Sequence, residues 1–389
     1  MMWRGITLMF CALFAAFAIF SGVDRAAGTS APLARFVPAP FAAQSLLATA
    51  GDLLDAERFA EANAAARRAI DAAPVEPDAP ALLGTSRLAL DDPLGAEAAF
   101  VVAAQFGWRT LTTQYYWMQR ALDVGDFRVA SQWLDAMLRQ DPGLAENREL
   151  LEPFEGAPLG RAALVGRLME RPDWLRNYAL LASVRSREDA LRRADVFNRL
   201  AQRGHPLGCA AIGPLATKLV RLNSPALAQQ TWRANCPSHS TGLIADTSFD
   251  TLQAHEANSP FEWMVLGDSD VSLSLETPPN EANRRLVLAS SASFPRKALS
   301  QLVIVKPGTY RLSWRAVNSG GEPSNRISAT MSCGADSHDW LAARFDPRSK
   351  LWVADVAIDG SCGASWLEFA IQPGKDGIAL DRIALQPLR

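Results

Sequence analysis

The sequence predicts a multidomain α + β chain: an N-terminal membrane helix or signal, an all-α solenoid, and an all-β sandwich at the C-terminal end. Three observations carry this. An apolar run extends from Ile6 to Val23 behind Arg4. Residues 43–144 repeat themselves with a period of 34. Beyond about residue 245, apolar residues alternate with polar ones instead of recurring every third or fourth position.

Bulk composition sets the bounds. At 389 residues the chain is too long for one ordinary domain, and 49% hydrophobic with 21% charged residues is the make-up of a globular protein with ample core. A net charge of −2 gives no general attraction for nucleic acid or for an anionic membrane surface, so no nucleic-acid partner is expected. Only five residues are lysine (218, 297, 306, 350, 375), so nearly all the basic charge is arginine, a compositional bias to which no function is assigned.

The apolar run ITLMFCALFAAFAIFSGV has a length between those of a secretory h-region and a transmembrane helix. Ala26-Ala27-Gly28 offers a processing site, yet Asp24 and Arg25 stand between it and the run. No cysteine follows for lipid attachment, since Cys11 sits inside the run. The favoured reading of residues 1–28 is an uncleaved single-span anchor, meeting the membrane through residues 6–23, with the remainder on the periplasmic side of an inner membrane. The alternative is export after signal cleavage. Residues 29–42 read as a linker. On both readings the rest of the chain reaches an oxidising compartment, where cysteines pair. Cys209, Cys236, Cys333 and Cys362 then read as two local bridges, Cys209–Cys236 and Cys333–Cys362. Metal binding is the competing reading, but there is no CxxC spacing, and His205 and His239 form no ligand pattern.

Superposing the chain on itself at 34 residues places Phe59 on Pro93 and Phe127, and Ala62 on Ala96 and Ala130. Ala69 falls on Ala103 and Met137, Pro74 on Trp108 and Pro142, and Ala50 on Gly84 and Met118. The units are 43–76, 77–110 and 111–144. Ala50, Gly84, Ala62, Ala96 and Ala130 are small where paired helices cross closely. Phe100 and Leu134 are large where the second helix packs onto the next unit, and Pro74 and Pro142 block continuation of theirs.

This stretch resembles the tetratricopeptide repeat. It departs from that pattern at Met118, where a small residue is usual, and at Trp108, where proline is usual. The resemblance implies a concave groove for a protein partner, lined by the first helix of each unit; Gln44, Gln114, Tyr115, Tyr116 and Gln119 are the groove candidates. Each unit buries its apolar face only against neighbours, so capping is needed. Residues 145–240 supply it as degenerate helical repeats, with helical spacing in LGRAALVGRLME, DWLRNYALLASV, REDALRRADVFNRLAQRG and SPALAQQTWRANC.

In residues 245–389, nine strand-like runs separated by turn signals argue a β-sandwich: WMVLG, VSLSLE, RRLVLAS, SQLVIV, TYRLSWRAV, RISATMS, LWVADVAI, SWLEFAIQ and IALDRIALQ. Alternation puts Tyr310, Leu312, Trp314 and Ala316 on one face, with Arg311 and Arg315 on the other. It turns Leu367, Phe369 and Ile371 inward and leaves Trp366 and Glu368 outward. The strand, Pro-Gly turn and aromatic strand of LSQLVIVKPGTYRLSWRAVNS, with the closing DGIALDRIALQPL, resemble the jelly-roll domains grouped with carbohydrate-binding modules and galactose-binding-like domains. That resemblance implies a glycan or a second protein as the sandwich's partner. The surface candidates are Trp366, Glu368, Trp340, Trp352, Arg311 and Arg315. Such domains often hold a structural calcium, for which Glu256, Asp268 and Asp381 are sources, though no ligand spacing identifies a site.

No GxSxG elbow, HExxH, phosphate loop or GxGxxG is present. The four histidines (205, 239, 255, 338) are scattered, and Asp91-Asp92 and the DSD at 268–270 are turn chemistry. No catalytic residue, metal or cofactor is assigned. The resulting expectation is a non-enzymatic cell-envelope adaptor. A solenoid joined to such a sandwich resembles bacterial envelope proteins associated with exopolysaccharide or O-antigen machinery, which implies polysaccharide assembly or export. The alternatives are a secreted or periplasmic carbohydrate-binding protein and a glycan-active enzyme, whose carboxylates would come from distant strands.

Overall fold

The computed structural model describes residues 2–29, 31–181, 184–236, 242–250, 252, 259–266, 269–279, 283–333, 340–359 and 363–388. The chain forms two compact units, Met1–Leu144 and Ala145–Arg389.

Unit 1 begins with α1 (Met2–Ala27), which from Ile6 to Ala27 is long and apolar enough to cross a membrane. Leu8, Phe10, Phe14 and Ile19 are exposed on it. Its last turns are anchored. Phe17 and Phe20 meet Phe41 at ring-centroid distances of 5.2 and 5.5 Å, in the 3₁₀ turn Ala39–Phe41 that follows the short α2 (Ala31–Ala34). The buried Asp24 carboxylate accepts the backbone N–H of Gln44 (2.9 Å) and of Ser45 (3.0 Å), and the Ser45 hydroxyl (2.8 Å). Those N–H groups open α3 (Ala43–Asp55), whose own N-cap residue, Ala42, has no side-chain acceptor. Asp24 supplies the missing cap from 20 residues upstream and sets a negative charge at the positive end of the helix dipole.

Successive helices then pair in the expected register: α3 with α4 (Phe59–Ala72), α5 (Asp78–Ala89) with α6 (Pro93–Gln105), and α7 (Leu111–Asp123) with α8 (Phe127–Gln140). Ala50, Ala62, Ala96 and Ala130 have no exposed surface, and a Cβ at Gly84 would stand 2.6 Å from the Phe100 ring. Met118, the large residue in the small-residue register, is fully buried. The turn inside each pair uses one residue in the left-handed region at the same repeat position: Glu57 (φ 58), Asp91 (φ 60) and Gly125 (φ 74). Only the third pair places glycine there, the residue that occupies this region without steric cost. Asp92 and Asp126 then cap α6 and α8 through Gly95 N–H (2.9 Å) and Val129 N–H (3.0 Å).

Unit 2 opens with α9 (Arg148–Gly156), α10 (Pro158–Leu168), α11 (Leu175–Ala179), α12 (Arg187–Gln202), α13 (Cys209–Arg221) and α14 (Pro225–Asn235). Sequence spacing misses α9 and α13. It also overextends α11, which stops where Leu181 enters the left-handed region (φ 64). These helices belong to the same unit as the sandwich. Buried Arg193 donates from Nε to Glu155 (2.6 Å) and lies over the Tyr178 ring, while the Tyr178 hydroxyl donates to the same carboxylate (2.6 Å). Burial raises the Tyr178 phenol well above its ordinary value. Asp189 completes a capping box with Ser186 and accepts two bonds from Arg148, both 3.1 Å. Burial alone would raise the Asp189 carboxyl, but hydrogen bonds from Arg148, Ser186 and the Arg185 backbone outweigh it and hold the group well below the carboxylate range. The expected Cys209–Cys236 bridge joins the start of α13 to the residue after α14. Cys333 is also disulfide-bonded; Cys362, its expected partner, lies outside the described residues.

The sandwich has two antiparallel sheets. The smaller orders β1 (Met264–Val265), β4 (Arg296–Val303), β9 (Ser365–Ile371) and β6 (Ile327–Ser332). The larger orders β2 (Val271–Glu276), β3 (Arg285–Ser290), β10 (Gly374–Pro387), β5 (Gly308–Val317), β8 (Leu351–Ile358) and β7 (Arg344–Asp346). All nine strand-like runs are strands; β7, at three residues, is too short to show a period. Trp314, Leu312, Ala316, Leu367, Phe369 and Ile371 share one core, as alternation requires. In β10 the buried set changes from Ile378 and Leu380 to Ile383 and Leu385, because a bulge at 381–384 with Arg382 at φ 51 inserts one residue.

Two tests follow. Replacing Glu57 or Asp91 by glycine relieves the left-handed strain, and each is expected to raise stability by about 0.5–1 kcal/mol in chemical denaturation; a loss at both sites would refute the turn reading. Asp189→Ala is expected to cost about 1–2 kcal/mol at neutral pH. A carboxyl depressed in the fold stabilises above its unfolded value and loses that contribution as pH falls. The wild-type thermal midpoint should therefore drop below about pH 4 by more than that of the variant.

Candidate functional site

Unit 1 contains a cleft of about 590 Å³ between the α5–α6 pair and α7. Its floor follows from one absent side chain. Gly84 lets the Phe100 ring lie against α5, and Phe100 in turn stacks on Tyr116 with ring centroids 4.0 Å apart and planes 12° apart. Trp117 meets Tyr116 edge-on at 5.1 Å. Thr85, Leu88, Leu94 and Tyr115 form the walls. Leu94 is 82% exposed and Tyr115 48%, although both are large and apolar.

One rim is charged. Arg120 lies 3.7 Å from Glu97 and 3.8 Å from Asp123, so one cation stands between two carboxylates. Burial, reinforced by Glu97, raises the Tyr116 phenol above its ordinary value, so it remains a neutral hydroxyl at physiological pH. An apolar trough with a small polar rim is suited to gripping a side chain of a partner.

The groove candidates divide. Tyr115, Tyr116 and Gln119 line the cleft together. Gln114 and Gln44 do not. Gln114 is buried and donates to the Trp108 carbonyl (2.7 Å) and to Gln140 (3.1 Å), closing the α6–α7 loop onto α8. Gln44 donates to Glu76 (3.1 Å) beside the Asp24 cap. Sequence reasoning misses Leu88, Leu94, Glu97 and Arg120. Leu94 carries a signal: its repeat equivalents are Ala60 and Arg128, so it is a large apolar outlier at a small or charged position.

The sandwich candidates are not gathered into one surface. Trp366 and Glu368 lie on the face of β9 opposite the core residues Leu367, Phe369 and Ile371, as alternation requires, but the exposure expected of them needs correction. Trp366 is half-buried, and Glu368, only 3% exposed, is taken up by Lys297 (2.7 Å) and Thr330 (3.3 Å) on the strands either side of β9. Trp352 also turns inward, packing against the core with Phe345 at 5.7 Å. Arg311 and Arg315 do share the outer face of the larger sheet. Arg311 is held by Asp355 in two bonds (2.7 and 2.9 Å), which lower the Asp355 carboxyl below its usual range. Arg315 pairs with Asp381 (2.6 Å), which Arg285 also approaches at 3.1 Å. Asp381, named as a calcium source, thus already sits between two guanidinium groups; Glu256 and Asp268 lie outside the described residues. Trp340 is exposed. His205 follows α12, whereas His239, His255 and His338 lie outside the described residues.

No family model matches the chain, and no curated protein matches it. Among solved structures, the chain is similar to a candidate sugar-binding protein from Bacteroides thetaiotaomicron VPI-5482, at 13% identity and TM-score 0.30, over 38% of this chain and 100% of that one. It is similar to TmCBM61, solved with β-1,4-galactotriose, at 15% identity and TM-score 0.28, over 38% and 100%. It is also similar to pilF of Pseudomonas aeruginosa, at 16% identity and TM-score 0.29, over 48% and 87%.

The Gly84–Phe100 contact gives a direct test of the cleft floor. Gly84→Leu is expected to cost about 2–3 kcal/mol and to weaken the near-ultraviolet circular dichroism of the Phe100–Tyr116 stack, with Gly84→Ala milder in both. An unchanged unfolding midpoint for the leucine variant would show that the helices do not cross as closely as described.

Proposed function

We propose that this chain is a non-enzymatic, membrane-tethered adaptor of the cell envelope that holds a segment of a protein partner in the α5–α6–α7 cleft. The observation that carries the reading is the cleft itself, an open apolar trough whose wall leaves Leu94 and Tyr115 in solvent. Large apolar side chains clustered at a concave, polar-rimmed site are the usual anchors of protein recognition. With Glu97 and Asp123 set against the single Arg120, the rim complements a partner segment that presents an apolar anchor next to a basic side chain. The tether is α1, and the Cys209–Cys236 bridge fits an oxidising, exported compartment. The sandwich serves as a second contact module. Assembly or export of an envelope polysaccharide is the process we propose, following the sequence resemblance.

Photo-crosslinking in native membranes tests this. A benzophenone side chain at position 115 or 94 of the full chain is expected to give a discrete cross-linked protein species that Leu88→Asp abolishes. The same group at Val75, in the α4–α5 loop away from the cleft lining, should give none. Equal products at all three positions, or a partner retained by a Tyr115→Ala/Leu94→Asp double variant, would sink the proposal.

A further inference from the structure

The edge of unit 1 from which α1 emerges carries exposed apolar residues that the cleft does not use. Asp24 holds α1 to the start of α3 through Gln44 and Ser45, and the Gln44 side chain reaches on to Glu76 at 3.1 Å. This bond ties the α4–α5 loop to the same place, and in that loop Val75 is 79% exposed. On the other side, the segment between α2 and the 3₁₀ turn carries Phe36, 60% exposed, with the Arg35 guanidinium 4.8 Å from its ring centroid. The 3₁₀ turn itself packs on the apolar run, through Phe41 against Phe17 and Phe20.

We infer that this edge, formed by the Arg35–Phe36 segment and the Val75 loop, is a lipid-contacting surface that seats the first helix pair on the bilayer crossed by α1. The inference rests on the tether reading of α1. Length decides it. At the rise of an α-helix the run from Ile6 to Val23 spans about 27 Å, and a hydrocarbon core is about 30 Å thick. Nearly every residue of the run is needed to cross, so Phe17 and Phe20 have no slack to stand clear of the membrane. Phe41, packed on them, is held at the interface; Phe36 stands just before it in the chain, and Val75 is next to Glu76, which Gln44 binds beside the Asp24 cap. A cation beside an exposed aromatic ring is an arrangement that suits headgroup depth, the ring entering the acyl boundary and the guanidinium meeting phosphate.

The test uses the full chain with Cys11→Ala, so that a single introduced cysteine carries a polarity-sensitive fluorophore. Phe36→Cys and Val75→Cys report on this edge; Val124→Cys, 76% exposed in the α7–α8 turn at the opposite edge, is the control. The labelled proteins are reconstituted in vesicles of phosphatidylcholine and phosphatidylglycerol, floated on a gradient, and titrated with aqueous iodide and with nitroxide-bearing lipid. Labels at 36 and 75 are expected to emit at shorter wavelength, to be several-fold less quenched by iodide than at 124, and to be quenched by the nitroxide lipid. A chain that floats with all three labels equally open to iodide overturns the surface and leaves the tether standing. A chain that fails to float overturns both.

Discussion

Everything in unit 1 depends on two helices of a pair being able to cross with almost nothing between them. Ala50 and Ala62, then Gly84 and Ala96, then Ala130 occupy those crossings and are buried, with the larger Met118 buried at the remaining position. The constraint repeats every 34 residues because one helix pair and its turn consume that length. It also creates the cleft. Where the crossing residue is glycine, the neighbouring aromatic ring drops into the space a methyl would fill, and a second ring stacks on it. Gly84, Phe100 and Tyr116 are one packing event, and the walls around them are left open. The site is therefore a by-product of close packing in the second and third pairs.

The two sheets follow a different logic. The inner faces are held by a shared aromatic and aliphatic core, with Phe369 within 6 Å of both Trp263 and Trp314 by ring centroid (5.9 and 5.7 Å). The outer face of the larger sheet is arginine-rich, but its guanidinium groups are matched by carboxylates across the strands: Arg311 with Asp355, and Arg315 and Arg285 with Asp381. The exposed Arg311–Asp355 pair adds little stability and mainly fixes side-chain geometry, whereas the buried Asp381 carboxylate needs its two guanidinium partners. A face whose charges already satisfy one another has little left to offer a ligand.

Much of this architecture was legible in the sequence, for identifiable reasons. The repeat showed because small residues recur at a fixed interval, and the strands showed because half of each is buried. The Cys209–Cys236 pairing was legible because the four cysteines beyond the apolar run fall as two pairs local in sequence. Other features depend on partners remote in the chain. The fate of Glu368 is decided by Lys297 and Thr330, which alternation within β9 cannot reveal. Helix α13 was hidden by Pro214 and by two glycines at or near its start, and β7 by its brevity. In the cleft, Tyr115, Tyr116 and Gln119 were legible because they lie on the first helix of their unit. Leu94 was missed because it lies on a second helix, at a position where the other units carry alanine and arginine.

The cap that Asp24 gives α3 has a consequence for proteolytic maturation. A peptidase cutting after Ala26 or Ala27 would have to reach a residue buried against the first repeat, and would carry away the carboxylate that closes the start of α3. The shed product would be more than a soluble copy of the same protein. Its first helix would begin with open N–H groups and a bare apolar flank at Phe41, so release from the membrane and loosening of the leading repeat would be a single event.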